Sequence, residues 1–209
     1  CVIVCHGMTC VEELVRAAKI SGVPVYNTPR ETTHLVLHLI NYLNEKLAPR
    51  ITKHGVLVDV FGSGILITGE SGVGKSEAAL ELVKRGHRLV ADDVVDIKRI
   101  SDNRLVGEAP ERVRHFMEIR GVGIIDIATM YGIGAVISSK SIDMEVHLEL
   151  WREDVEYDRL GLDEKCSEIL GVKVPRLLIP IRPGRNIAIV LEVAARNQLL
   201  KQNGLNAAL

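Results

Sequence analysis

Aromatic residues are scarce: one tryptophan, two phenylalanines and four tyrosines make up 3% of the 209 residues. The 47% hydrophobic content and positive mean hydropathy are therefore carried almost wholly by aliphatic side chains, the composition of a well-buried core. Neither sign of charge dominates. Lys and Arg number 26 against 27 Asp and Glu, a net charge of −1, so no global field draws the chain to nucleic acid or to an anionic membrane. No uninterrupted apolar run approaches the roughly 20 residues that a spanning helix needs. The four cysteines, Cys1, Cys5, Cys10 and Cys166, form no CxxC pair and no zinc spacing. They read as small buried hydrophobes in a reducing cytoplasm. The opening residues carry neither the basic head nor the cleavage site of a signal peptide. Absent too are an Asn-Lys-x-Asp run for guanine and a Leu-Ser-Gly-Gly-Gln signature.

What is present centres on Gly69-Glu70-Ser71-Gly72-Val73-Gly74-Lys75-Ser76. The apolar run Ile65-Leu66-Ile67-Thr68 precedes it and the helical pattern from Glu77 to Lys84 follows. Strand, glycine-rich turn and helix in that order are the context of a Walker A loop. Its glycines let successive N–H groups point into one concavity. Lys75 supplies a cation for the β- and γ-phosphates, the Ser76 hydroxyl can ligate Mg²⁺, and the helix start favours anions. The chain is expected to bind a nucleotide or a related polyphosphate.

Around this motif the chain divides into two parts. Residues 1–46 read as the closing part of a smaller N-terminal α/β domain, and residues 47–209 as the catalytic domain. The strand-like start at Cys1, without methionine, suggests a piece of a longer protein. Thr9 is the expected N-cap of a first helix ending at Gly22, Val23–Tyr26 a short strand, and Thr28-Pro29 the start of a second helix. Gly62-Ser63, between two β-rich runs, predicts a type II′ hairpin. In that register residue 54 faces residue 71, which brings His54 beside the phosphate loop. The strand at 87–91 should run parallel to the loop's own strand through the helical crossover. Asp92-Asp93 then fall on the same sheet edge as the loop.

Either aspartate can hold Mg²⁺ as a Walker B acid does while the other takes a proton from an attacking hydroxyl. Capping a strand-end turn is the plainer alternative. In extended backbone Glu118 and Arg120 share a face, placing one metal-capable carboxylate beside one phosphate-capable guanidinium. Asp158-Arg159-Leu160-Gly161 and the segment from Pro180 through Arg182 to Arg185 and Asn186 are basic and loop-like, too rich in Pro and Gly for a regular element. Arginines on such loops can cover a transferred phosphoryl group. His6, His34, His38, His87 and His147 read as core or surface residues.

His54 through Asp59, the Walker loop, Arg85 through Asp93, Glu118 through Asp126, Asp158 through Gly161 and Gly184 through Asn186 together resemble the HPr kinase/phosphorylase family. The resemblance implies an α/β, P-loop kinase domain of the phosphoenolpyruvate carboxykinase-like type. It implies phosphorylation of a serine on the phosphocarrier protein HPr from ATP or pyrophosphate, phosphorolysis of that phosphoserine by inorganic phosphate, and a role in carbon metabolism. By the same likeness Asp92 is the acid/base, assisted by His54 and Asp93, while Ser76 and Glu118 hold Mg²⁺ or another divalent cation. Lys75 and Arg159 join the catalytic set, Arg159 for dephosphorylation, and Arg182 and Arg185 lie near the protein substrate. A homohexamer in the cytoplasm is implied as well. Two other readings stay open on the residues alone: a small-metabolite kinase in which Arg120 and Arg159 clamp an anionic acceptor, and a nucleotide-sensing module without turnover.

Overall fold

The computed structural model describes residues 1–155, 157, 165–182 and 184–204. The chain forms two compact units that meet between Ala48 and Pro49.

In the first unit β1 (Val2–Val4) pairs in parallel with β2 (Val25–Asn27), linked through α1 (Glu12–Ser21), and α2 (Thr32–Leu47) follows. Gly22 ends α1 in the left-handed region, at φ 66°, where a side chain would be strained. Thr9 does not cap α1. Its N-cap is Val11 with no side-chain bond, and Glu12 and Glu13 in the first turn answer the helix dipole instead. The second helix starts later than Thr28-Pro29, at Thr32, because Thr28 closes a local turn by accepting from the Arg30 N–H.

The second unit is built on two sheets. β3 (Arg50–His54), in a stretch where the apolar pattern breaks down, pairs antiparallel with β7 (Val94–Ser101), which pairs with β8 (Arg104–Glu108) and so to β11 (Ser139–Ser141). The larger sheet has β4 (Val56–Val60), β5 (Ser63–Gly69), β6 (Arg88–Ala91), β12 (Met144–Leu150), β13 (Lys165–Ile169) and β14 (Val172–Ile181) in the order β13-β14-β12-β5-β4-β6. A small hairpin, β9 (Phe116–Ile119) with β10 (Gly123–Asp126), leads into the short α4 (Ile127–Tyr131).

β4 and β5 are buried along almost their whole length because both faces are covered. Val56, Val58, Ile65 and Ile67 share a cluster with Leu82 of α3 (Lys75–Lys84) and Leu191 of α5 (Ile187–Gln202). Alternate residues Leu57 and Leu66 pack on Val95, Ile97 and Leu105 of the four-stranded sheet. The layers are thus helices, six-stranded sheet and four-stranded sheet. The cysteines depart from expectation: Cys1 and Cys166 are exposed and Cys5 and Cys10 only partly covered.

The β4–β5 hairpin corrects the predicted turn. Val60 pairs with Ser63, so Phe61 and Gly62 are the turn residues, at φ 53° and 88°. Two positive φ values make this type I′ rather than II′. The register moves by two in the sum of paired positions, and His54 is not in the hairpin at all; it pairs with Val94 across β3 and β7. β6 is parallel to β5 as the crossover requires, but β4 lies between them and is antiparallel to both. The carboxyl ends of β5, β6, β12 and β14 share one edge, because β12 is parallel to both β5 and β14.

Candidate active site

β5 delivers the phosphate loop to that edge. Its last residue, Gly69, has φ 143°, and a Cβ there would stand 2.3 Å from the Leu148 carbonyl oxygen of β12. Only glycine lets the two strands approach so closely. Gly72, at φ 84°, faces the guanidinium of Arg120, with a would-be Cβ 2.6 Å from Nη1. Arg120 Nη2 also donates to Ser71 Oγ at 2.9 Å. Val73 anchors the loop in the core. Lys75, the first residue of α3, donates through Nζ to the carbonyls of Gly69 at 3.0 Å and Glu70 at 2.9 Å. Its ammonium is thereby held at the mouth of a concavity that faces the helix start.

Asp92 and Asp93 form the whole connection between β6 and β7, and their environments are opposite. Asp92 is 6% exposed. Its Oδ1 accepts from Ser76 Oγ at 2.8 Å and its Oδ2 from the Glu118 N–H at 3.1 Å. Burial raises its pKa above the ordinary aspartate value, an effect to which the charge of Asp93 adds; the bonds from Ser76 and Glu118 oppose it without cancelling it. Asp93 sits at φ 63°, and its side chain is 72% exposed. His54 Nδ1 lies 3.8 Å from Asp93 Oδ1, and the Gly55 N–H donates to the Asp93 carbonyl at 3.0 Å. His54 thus arrives beside the aspartates through β3, not through the β4–β5 hairpin.

β9 brings in two further side chains. Met117 and Ile119 turn inward, and Glu118, between them, turns outward. Arg120 follows directly and reaches the loop. Asp126 caps α4, accepting from the N–H groups of Ala128 at 2.9 Å and Thr129 at 3.3 Å.

Arg182 and Arg185 stand beyond β14 on the same sheet edge. Both ends of the Pro180–Asn186 segment are more regular than composition predicts: Pro180 and Ile181 complete β14, and Asn186 caps α5 by accepting from the Ile189 N–H. Arg185 Nη1 donates to the Pro180 carbonyl at 3.0 Å. Arg182 lies over the ring of Trp151, 3.6 Å from its centroid, and Trp151 also stacks against Tyr157. No sequence pattern points to this aromatic partner. Arg159 and the other residues of its motif lie outside the described residues.

The whole chain has known relatives. Residues 45–209 match the family described as HPr Serine kinase C-terminal domain, and residues 1–43 match HPr Serine kinase N terminus. An HPr kinase/phosphorylase of Caldanaerobacter subterraneus subsp. tengcongensis is 56% identical over 208 residues, all of this chain and 68% of the relative. That of Bacillus subtilis is 53% identical over 207 residues, 99% of this chain and 67% of the relative. Among solved structures, the HPr(Ser) kinase/phosphatase of Coxiella burnetii superposes with a TM-score of 0.68 at 37% identity, covering 74% of this chain and 93% of that one. A Walker loop, an aspartate pair at the end of the parallel strand β6 on the same sheet edge, and this extent of identity lead to one assignment: the chain belongs to the HPr kinase/phosphorylase family of phosphotransferases.

Proposed function

We propose that the chain moves a phosphoryl group between ATP or pyrophosphate and a serine of HPr, in the cytoplasm and as a homohexamer, with residues His54, Lys75, Ser76, Asp92, Asp93 and Glu118 as its working set. The observation that carries the reading is the contrast within the aspartate pair. Asp92 is buried, with each oxygen engaged by a donor from Ser76 or Glu118, so it is poised to orient Ser76 rather than to meet a second protein. Asp93 is exposed and flanked by His54, where an incoming hydroxyl can reach it. The acid/base role therefore moves from Asp92 to Asp93, reversing the division that family resemblance implies.

Ser76 Oγ and the carboxylates of Asp92 and Glu118 are the hard oxygen donors that would hold Mg²⁺. When bound, the ion neutralises charge developing on those phosphates. In the forward direction Asp93 accepts the serine proton as the serine oxygen bonds to phosphorus and the donor's bridging bond breaks. Lys75, the loop N–H groups and Arg120 stabilise the oxygens of the transferred group. In reverse, an oxygen of inorganic phosphate attacks the phosphoserine phosphorus, Asp93 returns a proton to the departing serine oxygen, and pyrophosphate is released. Arg182 and Arg185 border the acceptor side, and Arg159 belongs to the reverse reaction.

The test is transfer from labelled ATP to HPr, followed by release of pyrophosphate from phosphoseryl-HPr and phosphate. Label on small molecules alone, or binding without turnover, would refute the reading.

A further inference from the structure

Behind the phosphate loop, on the face of the six-stranded sheet away from α3, a polar cluster lies outside the machinery above. Glu145 is buried, and its Oε1 accepts from Thr68 Oγ1 at 2.9 Å. A hydroxyl has one proton. With that proton committed to Glu145, the 3.0 Å contact between Thr68 Oγ1 and His147 Nδ1 is donated by the ring. Burial, then the charge of Arg176, lowers the pKa of His147, which favours the neutral ring that the Thr68 contact calls for. Lys53 Nζ stands 3.8 Å from Glu145 Oε2, and Arg176 Nε 3.9 Å from Oε1.

The chain positions of these partners matter. Thr68 immediately precedes Gly69, the first residue of the phosphate loop, and Lys53 immediately precedes His54. Thr68 is on β5 and Lys53 on β3, in different sheets. A single carboxylate thus spans from the foot of the phosphate loop to the strand end that carries His54 to Asp93. The neighbours of Glu145 on β12, Met144 and Val146, face the aliphatic core and supply the strand's packing. A buried carboxylate is costly unless paired; of the partners of Glu145, Thr68 and Lys53 lead toward the reacting groups, and Arg176 of β14 balances its charge from the other side.

We propose that Glu145 is a positioning residue for phosphoryl transfer: through Thr68 and Lys53 it holds the phosphate loop and the His54–Asp93 pair at a fixed separation. This rests on the reaction proposed above, and its test separates the two. In the full chain, with HPr, ATP and Mg²⁺, Glu145→Gln and Thr68→Val are expected to lower kcat about tenfold while KM for ATP stays within about twofold, as for lost alignment rather than lost binding. Thr68→Ser, which keeps the hydroxyl, restores kcat. A purely structural role would lower the melting temperature and leave kcat unchanged below it.

The second readout does not need turnover. The ring nitrogen resonances of His54, on another strand from Glu145, are expected to shift in Glu145→Gln, and those of His147 to report the Nδ1–H form in the parent chain. A parent chain that fails to phosphorylate HPr refutes the proposed reaction, and the His54 shift alone then decides the positioning role. Unchanged kcat in an active parent, or unmoved His54 resonances, overturns it.

Discussion

Replacing each aspartate of the pair separately by asparagine distinguishes their roles. The Asp93 side chain is exposed, with His54 Nδ1 3.8 Å from its Oδ1. Asparagine tolerates the left-handed region as aspartate does, so Asp93→Asn should change stability by no more than about 0.5 kcal/mol. It removes the proposed proton carrier, however. Loss of a general acid/base costs about 10²–10⁴ in rate, or about 3–5 kcal/mol of barrier. Both transfer to HPr and phosphorolysis should fall by that factor, while calorimetric titration with Mg²⁺ and pyrophosphate gives nearly the parent affinity. Asp92→Asn should behave differently. One of its two donors, Ser76 Oγ–H or the Glu118 N–H, would face an amide NH₂ in a buried place, at a cost of about 1–3 kcal/mol for the unsatisfied group. Part of this is offset because burial disfavours the charge being removed. With Ser76 no longer oriented, affinity for Mg²⁺ and pyrophosphate should drop as well as rate. The reasoning fails if Asp93→Asn retains more than about a tenth of either activity, or if Asp92→Asn loses both activities with binding intact.

Three other outcomes are expected. Gly72→Ala puts a Cβ 2.6 Å from Arg120 Nη1 at φ 84°; denaturant titration should show a loss of about 1–3 kcal/mol for the strained backbone, together with weaker pyrophosphate binding as Arg120 is displaced. Asp126, whose carboxyl is held below the usual aspartate range chiefly by the Thr129 hydroxyl, contributes stability that is complete above the unfolded pKa of about 3.9 and disappears as pH falls through the lower folded value. Comparing melting against pH, Asp126→Ala should flatten that part of the acid limb. The single tryptophan, Trp151, lies under Arg182, so Arg182→Ala should change its emission intensity without a change in far-ultraviolet circular dichroism; an unchanged spectrum would refute the stacking.

The phosphate loop was legible because its chemistry demands fixed residue types at fixed spacing, and the strand and helix around it carry clean periodicities. Asp92-Asp93 were placed on the correct edge by the crossover rule alone, though the intervening β4 could not be read from it. His54 shows the opposite case. A hairpin register puts it beside the phosphate loop, whereas the structure brings it to Asp93 through β3, whose alternation is too polar to announce a strand. The type II′ expectation fails because Phe61 occupies a left-handed position that composition disfavours. Unlike burial of Asp92 and Asp93 was not legible, since adjacent identical residues differ only through the Ser76 and Glu118 donors that tertiary packing brings in. Glu145 and His147 were hidden by the same cause: alternation along β12 says which face they occupy, not what waits there.

The dipeptide Asp92-Asp93 is one of three short covalent steps between the two sheets, beside Gly55 from β3 to β4 and Ile142-Asp143 from β11 to β12, and it is clamped by the Val94 N–H to the Asp92 carbonyl at 2.7 Å. Shear between the two sheets is shared among these three links, and at Asp92-Asp93 it becomes torsion of the peptide units that carry both carboxylates. If Asp93 is the acid proposed above, substitutions far out on β8 or β11 would alter the pitch at which it meets its substrate, a mechanical adjustment remote from the residues that perform the chemistry.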